Sequence, residues 1–171
     1  MTIKSFLIGF YIFTKAKTIL MSLLINLITV VFTVILMECM SWFIHKYLFH
    51  GPLWFIHKSH HERHNSFLEW NDVFAILFAA LSLYLMFIDR FDFGFRFFIG
   101  LGITLYGLIY FVIHDWFVHQ RIRAFKTKNA YLSLIRKAHK IHHKNQGKEN
   151  GKAFGLLFVK KNVVKASSSY E

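Results

Sequence analysis

Eleven histidines in a chain of 171 residues fall in two windows. His45, His50, His57, His60, His61 and His64 form the first; His114, His119, His139, His142 and His143 form the second. Each window repeats one spacing: a His-x4-His pair (His45/His50, His114/His119) followed by His-x2-His-His (His57/His60/His61, His139/His142/His143). On a helix, positions i, i+3 and i+4 share a face, so each triple is expected to aim three imidazoles at one point. The pair is less obvious, because five residues advance about 500° and leave the side chains roughly 140° apart on an ideal helix. Such a pair brackets an ion only at a helix end or a distortion, and Gly51-Pro52, directly after His50, supplies a break of that kind. One histidine alone reads as a headgroup contact or a packed, hydrogen-bonded ring; ten in a duplicated spacing read as metal ligands. Imidazole suits iron, copper, zinc and nickel, and ten ligands exceed the roughly four to six positions of one ion, so two ions are the economical count. His64 extends the first triple by another i+3 step, Gln146 stands at the equivalent offset of the second window, and His64 is read as surface or as a support behind a ligand. The string from His61 to His64 is not the zinc-protease motif, which needs histidines four apart, since position 65 is Asn.

Elements must bring the two windows together. With 55% hydrophobic and 18% charged residues, the chain is more apolar than a soluble domain, and the excess is expected to sit in lipid. One proline argues for long helices, and the lone Cys39 cannot form an internal disulfide. Three stretches without ionisable side chains, 19–37, 73–88 and 97–113, are 19, 16 and 17 residues long. They straddle the lower limit of about 17 for a spanning helix. The second and third, joined by the charged run 89–96, form a hairpin, with a shallow re-entrant pair as the alternative. From His114 onward there are thirteen Lys+Arg against three acids, which places that region in the cytoplasm. Tracing back through the hairpin puts the first window on the same side. The fold class is therefore all-α: an integral membrane bundle of three spans, a fourth left open, under a cytoplasmic histidine-rich metal cap. Residues 1–20 are an interfacial segment, or an extension preceding a natural start at Met21; 21–158 are the membrane domain; 159–171 are a polar, disordered tail.

The strings HKYLFHG (45–51), HKSHHE (57–62), NDVFA (71–75), HDWFVHQ (114–120), AHKIHH (138–143) and GKENGKAFG (147–155) resemble the bacterial non-haem β-carotene 3-hydroxylases of the fatty acid hydroxylase and sterol desaturase superfamily. Several of these matches are not metal ligands, which makes the likeness specific. It implies a di-iron centre, molecular oxygen as oxidant, and two electrons from reduced ferredoxin. It further implies hydroxylation at C3 of each β-ionone ring, from β-carotene through cryptoxanthin to zeaxanthin, in a bacterial inner membrane. Carried over by position, the ligands would be His45, His50, His57, His60, His61, His114, His119, His139, His142 and His143. His64 and the longer N-terminus depart from the pattern.

Ligating imidazoles donate their other N–H to an oxygen that fixes the tautomer. Glu38, on the face of His45 two turns deeper, and Asp72 and Asp115, beside the motifs, are the candidates for that role; Glu62 reads as solvated. The net charge of +12 suits an acidic electron donor, but positive-inside topology and anionic lipid explain it equally. Nucleic acid is not indicated, since no recognition motif accompanies the basic residues. A fatty-acyl or sterol hydroxylase or desaturase with the same metal core is the nearest rival. A haem protein or metal carrier fits worse, because the three apolar stretches contain no ligands.

Overall fold

The computed structural model describes residues 3–62, 68–122, 127–162 and 164. Among them all regular structure is helical, in agreement with the expected class. Helix α1 (Ile3–Phe43) contains no proline and a single glycine, and it runs unbroken through the boundary expected near residue 20. At 1.5 Å per residue its 41 residues reach about 60 Å, roughly twice a hydrocarbon core. It continues into a π-helical segment, Ile44–Phe49, and a short α2, Trp54–His61. Helices α3 (Asp72–Ile88) and α4 (Phe95–Tyr110) form the expected hairpin, and a second π-helical segment, Phe111–Val118, extends α4. Helix α5 (Ala130–Lys144) is capped by Asn129, whose side chain accepts from the N–H groups of Tyr131 and Leu132 at 3.0 Å.

Two helices, Leu7–Phe49 and Phe95–Val118, are long and apolar enough to cross a membrane; Asp72–Ile88 is apolar but shorter. The stretch 19–37 is thus the middle of a longer helix rather than a span bounded at its own ends. Most large apolar side chains on these helices face outward, Phe32, Ile76 and Leu83 among them, each about two-thirds exposed. Outward apolar surface on that scale needs lipid, and the protein is membrane-associated.

Interior packing depends on small residues. A Cβ at Gly102 would stand 2.6 Å from Thr33 of α1, and one at Gly100 would stand 2.7 Å from the Ser82 carbonyl of α3. Helix α4 is therefore seated closely against both neighbours. Ser82 Oγ donates to the Gly100 carbonyl at 2.8 Å, and Thr33 Oγ1 to that of Thr29 at 2.8 Å, so both buried hydroxyls are satisfied inside the bundle. Met37, Ile103 and Tyr106 form the apolar centre directly beneath the histidines.

Candidate metal centre

Each His-x4-His pair spans the end of a π-helical segment, with His45 and His114 inside it and His50 and His119 at its C-cap. The His50 N–H donates to the His45 carbonyl at 3.1 Å, and the His119 N–H to that of His114 at 2.9 Å. An i→i+5 bond spans the five-residue spacing, so the widened turn gathers two rings that an α-helix would splay. Their centroids lie 5.4 and 4.5 Å apart. Gly51 follows the C-cap of the first segment; a Cβ there would fall 2.0 Å from the Tyr47 carbonyl oxygen, so no other residue fits.

The triples behave differently from expectation. Steps of about 100° put i+3 near −60° and i+4 near +40° relative to i, a fan of about 100° that serves two points rather than one. On α2, His57 and His61 turn to one side and His60 to the other; on α5, His139 and His143 part from His142 in the same way. The result is two interlocked sets. In the first are His45, His50, His57, His61 and His142, with ligand atoms within 4.8 Å of one another. The second holds His60, His114, His119 and His139 within the same limit. His143 joins it, its Nε2 lying 2.8 Å from that of His139. Each set takes one pair, two histidines of the adjacent triple, and the middle histidine of the other triple.

Proton accounting shows what the sets can do. The Nδ1 of His45 donates to the Phe154 carbonyl (2.9 Å), that of His50 to Lys148 (2.9 Å), that of His61 to Asn145 (2.9 Å) and that of His142 to Lys152 (2.8 Å). His57 donates to Asn71 Oδ1 (3.1 Å), His60 to Glu69 Oε2 (2.6 Å) and His114 to Asp115 Oδ1 (2.7 Å). A neutral imidazole has one N–H, so these seven present a bare Nε2 lone pair inward. Those Nε2 atoms nonetheless approach closely: His45 to His142 at 2.9 Å, His45 to His57 at 3.1 Å and His61 to His57 at 3.2 Å. In the second set His119 and His139 approach to 2.7 Å. Facing lone pairs repel unless a cation lies between them. Nitrogens bound to one ion at about 2.1 Å, at about 90–110° to each other, stand about 3.0–3.4 Å apart, close to this spacing. The buried His60 Nε2 also has no hydrogen-bond partner among the described residues. The donor sets fit metal ions.

Burial keeps these rings neutral. Desolvation is the largest cause in each case and pushes His57 down to about 3, His61 to about 4, and His142 and His143 to about 2. Repulsion from neighbouring imidazoles adds to it. His119 falls to about 4 by burial and then by the charge of Arg121.

The supporting carboxylates are partly those expected. Asp115 meets His114 directly. Asp72 stands one layer further out, accepting from Arg121 Nη1 at 3.0 Å with both oxygens. Glu38 orients no imidazole among the described residues, contrary to the expectation from its helix face. Its Oε2 accepts from Tyr106 Oη (2.9 Å) and its Oε1 from the N–H groups of Leu156, Leu157 and Phe158 (3.1, 2.7 and 3.2 Å), because the C-terminal segment returns to lie over α1. His64 lies outside the described residues. Glu69, Asn71 and Arg121 were missed as supports; only the string NDVFA, carrying Asn71, drew attention to that region. Arg121 Nη2 also reaches Glu69 Oε2 at 3.1 Å, tying the loop before α3 to the end of the second π segment.

A cavity of about 430 Å³ opens beneath the histidines. Met37, Phe74, Phe78 and Ile103 line its apolar part, and His45 and His57 of one set meet His60, His114 and His139 of the other at its head.

The fatty acid hydroxylase family model matches residues 30–160. The chain is 39% identical over 132 residues to a β-carotene hydroxylase of Paracoccus sp. (strain PC1), covering 76% of this chain and 82% of that one. It is 41% identical over 135 residues to a β-carotene hydroxylase of Pantoea ananas, covering 78% and 77%. With the chloroplastic β-carotene 3-hydroxylase 2 of Arabidopsis thaliana it shares 34% identity over 140 residues, 79% of this chain and 46% of the plant protein. No solved structure gives a significant match.

Proposed function

The chain belongs to the fatty acid hydroxylase family, and from that membership we propose that it hydroxylates C3 of the β-ionone rings of β-carotene, giving β-cryptoxanthin and zeaxanthin. The observation that carries this reading is the cavity: its walls are apolar and come from the membrane helices, and its head is formed by both histidine sets. A hydrocarbon ring can enter from lipid without crossing water and bring its edge to the histidines. The relatives' substrate favours a carotenoid over a sterol or acyl chain in this cavity.

Two iron ions are assigned to the sets, one to His45, His50, His57, His61 and His142, the other to His60, His114, His119, His139 and His143. Bound there, they supply activation of O2 for oxidation of the C–H bond, with two electrons from a ferredoxin-type donor. The chain's own residues do the rest. Oxygen acceptors on Nδ1 hold the ligating rings in one tautomer and orientation. Tyr110, stacked on His114 at 4.4 Å, and Phe49, stacked on His57 at 4.8 Å, wall the sets from bulk water on the cavity side. Helices α1, α3 and α4 are assigned as three spans of a bacterial inner membrane, with the metal cap and α5 on the cytoplasmic side, where the lysines of α5 offer a docking face for an acidic donor. The stretch 3–20 is assigned as an extension of the first span.

The test is pigment chromatography on a bacterial host that makes β-carotene, expressing this chain or its His142→Ala variant beside an active control. Cryptoxanthin and zeaxanthin with the intact chain, and neither with the variant, are expected. Unchanged β-carotene with the chain present in the membrane would overturn the substrate.

A further inference from the structure

The two histidine sets are alike in ligands but unlike in what stands behind them. Behind the first, every Nδ1 acceptor is neutral: four main-chain carbonyls and the Asn71 amide oxygen. Behind the second, His60 and His114 donate to carboxylates, and among the described residues these are the shortest Nδ1 bonds, 2.6 Å to Glu69 and 2.7 Å to Asp115. Both acids are largely buried, with side chains 9% and 15% exposed, where charge is weakly screened. Arg121 pairs with Glu69 at 3.1 Å, Asp72 at 3.0 Å and Asp115 at 3.9 Å. Among the described residues, three carboxylates thus gather around one guanidinium on the outer side of the second set. Glu38 is a single acid and touches no imidazole among the described residues; it accepts from Tyr106 and from the N–H groups of Leu156, Leu157 and Phe158.

We propose that the two sets are unequal metal positions, the carboxylate-backed set around His60 and His114 holding its cation more tightly than the carbonyl-backed set around His45 and His142. The inference rests on the two-metal reading above. A carboxylate accepting from Nδ1–H makes the other nitrogen a stronger donor, and its charge stabilises the ion through a medium of low dielectric. A main-chain carbonyl fixes the same tautomer and adds no net charge. Glu69, Asp115 and Asn71 are thus positioning residues that set the strength of the ligands in front of them. Asn71 is the informative position, because it occupies in the first set the place Glu69 holds in the second and differs from a carboxylate by one atom. Its side chain makes no capping hydrogen bond at the start of α3, so the exchange leaves the helix end as it is.

The experiment is anaerobic equilibration of the full-length protein in detergent with ferrous iron-57, buffered over a graded series of chelator concentrations. Bound iron per chain and Mössbauer spectra are read together. The intact chain is expected to release two ions in two separate steps at least about tenfold apart in free iron. Glu69→Gln should weaken the tighter step by about 10- to 100-fold and move one quadrupole doublet, leaving the other step and doublet in place. Asn71→Asp should strengthen the weaker step and move the other doublet. If Glu69→Gln does not fold, Asn71→Asp decides alone. Release of two ions in one step, or a weaker step unmoved by Asn71→Asp, overturns the inference and leaves the two-metal reading standing. Fewer than two ions per intact chain overturns both.

Discussion

Glu38→Gln removes a charge that touches no histidine, and it should still cost the protein one of its metals. The carboxylate is 3% exposed and accepts four hydrogen bonds, from Tyr106 Oη and from the N–H groups of Leu156, Leu157 and Phe158. A bond to a charged acceptor contributes about 1.5–3 kcal/mol and one to a neutral acceptor about 0.5–1.5, so four bonds lose about 4 kcal/mol together. The new amide also brings an N–H2 that must face donors. At about 2–4 °C per kcal/mol for a chain of this size, melting should fall by about 10 °C. The segment Glu38 anchors carries the carbonyls of Lys152 and Phe154, which hold His142 and His45, and continues back to those of Lys148 and Asn145. All four serve the first set. Iron content of the purified variant should therefore drop toward one ion per chain, with the remaining ion in the second set. A variant that melts within about 2 °C of the parent and keeps both ions would refute the reasoning, since the loss of four charged bonds would then have no consequence.

Arg121→Met removes the guanidinium that pairs with Glu69, Asp72 and Asp115, and should destabilise the protein by about 3–5 kcal/mol in a thermal melt. Acid should weaken the metal-free protein. The folded values of about 2 to 4 for His57, His61, His119, His142 and His143 lie below the free value of 6.5, so the unfolded chain binds more protons in that window. Stability is complete above the free value and declines as pH falls below it, by up to about 1.4 kcal/mol per unit for each histidine, visible in melts taken across that range. Gly102→Val should wedge α4 from α1 against Thr33 and cost about 1–3 kcal/mol, whereas Gly107→Ala, with open space around its Cβ, should be neutral or slightly stabilising in the same melts.

Much of the centre can be read from spacing. The duplicated His-x4-His and His-x2-His-His patterns pick out the ten residues that the fold brings together, and the need for a distorted turn at each pair follows from helix geometry alone. What spacing does not give is the division of labour within a triple. Position i+3 stands about 60° from i and about 100° from i+4, and whether that fan meets one point or two depends on what faces it. His60 and His142 cross to the opposite set for this reason. Acceptors behind the rings were harder. Glu69 and Asn71 lie nine and fourteen residues from their histidines, beyond a helix break, so no periodicity connects them. The four carbonyls are invisible in principle, since every residue has one; only the conformation of residues 145–154 selects them. Ala153 there adopts φ 59°, turning the flanking Lys152 and Phe154 carbonyls to their separate histidines at the cost of left-handed backbone. The partners of Glu38 are hidden for a related reason: the segment that comes back to meet it starts more than a hundred residues later.

The most direct measurement is oxygen-isotope incorporation by the purified, iron-loaded chain in lipid vesicles containing β-carotene, supplied with a reduced ferredoxin and oxygen-18 gas. A histidine-held iron centre that activates O2 beside an apolar cavity predicts one oxygen-18 atom in each new C3 hydroxyl of cryptoxanthin and zeaxanthin. Hydroxyls carrying oxygen from water instead, or label appearing with His142→Ala as readily as with the intact chain, would contradict it.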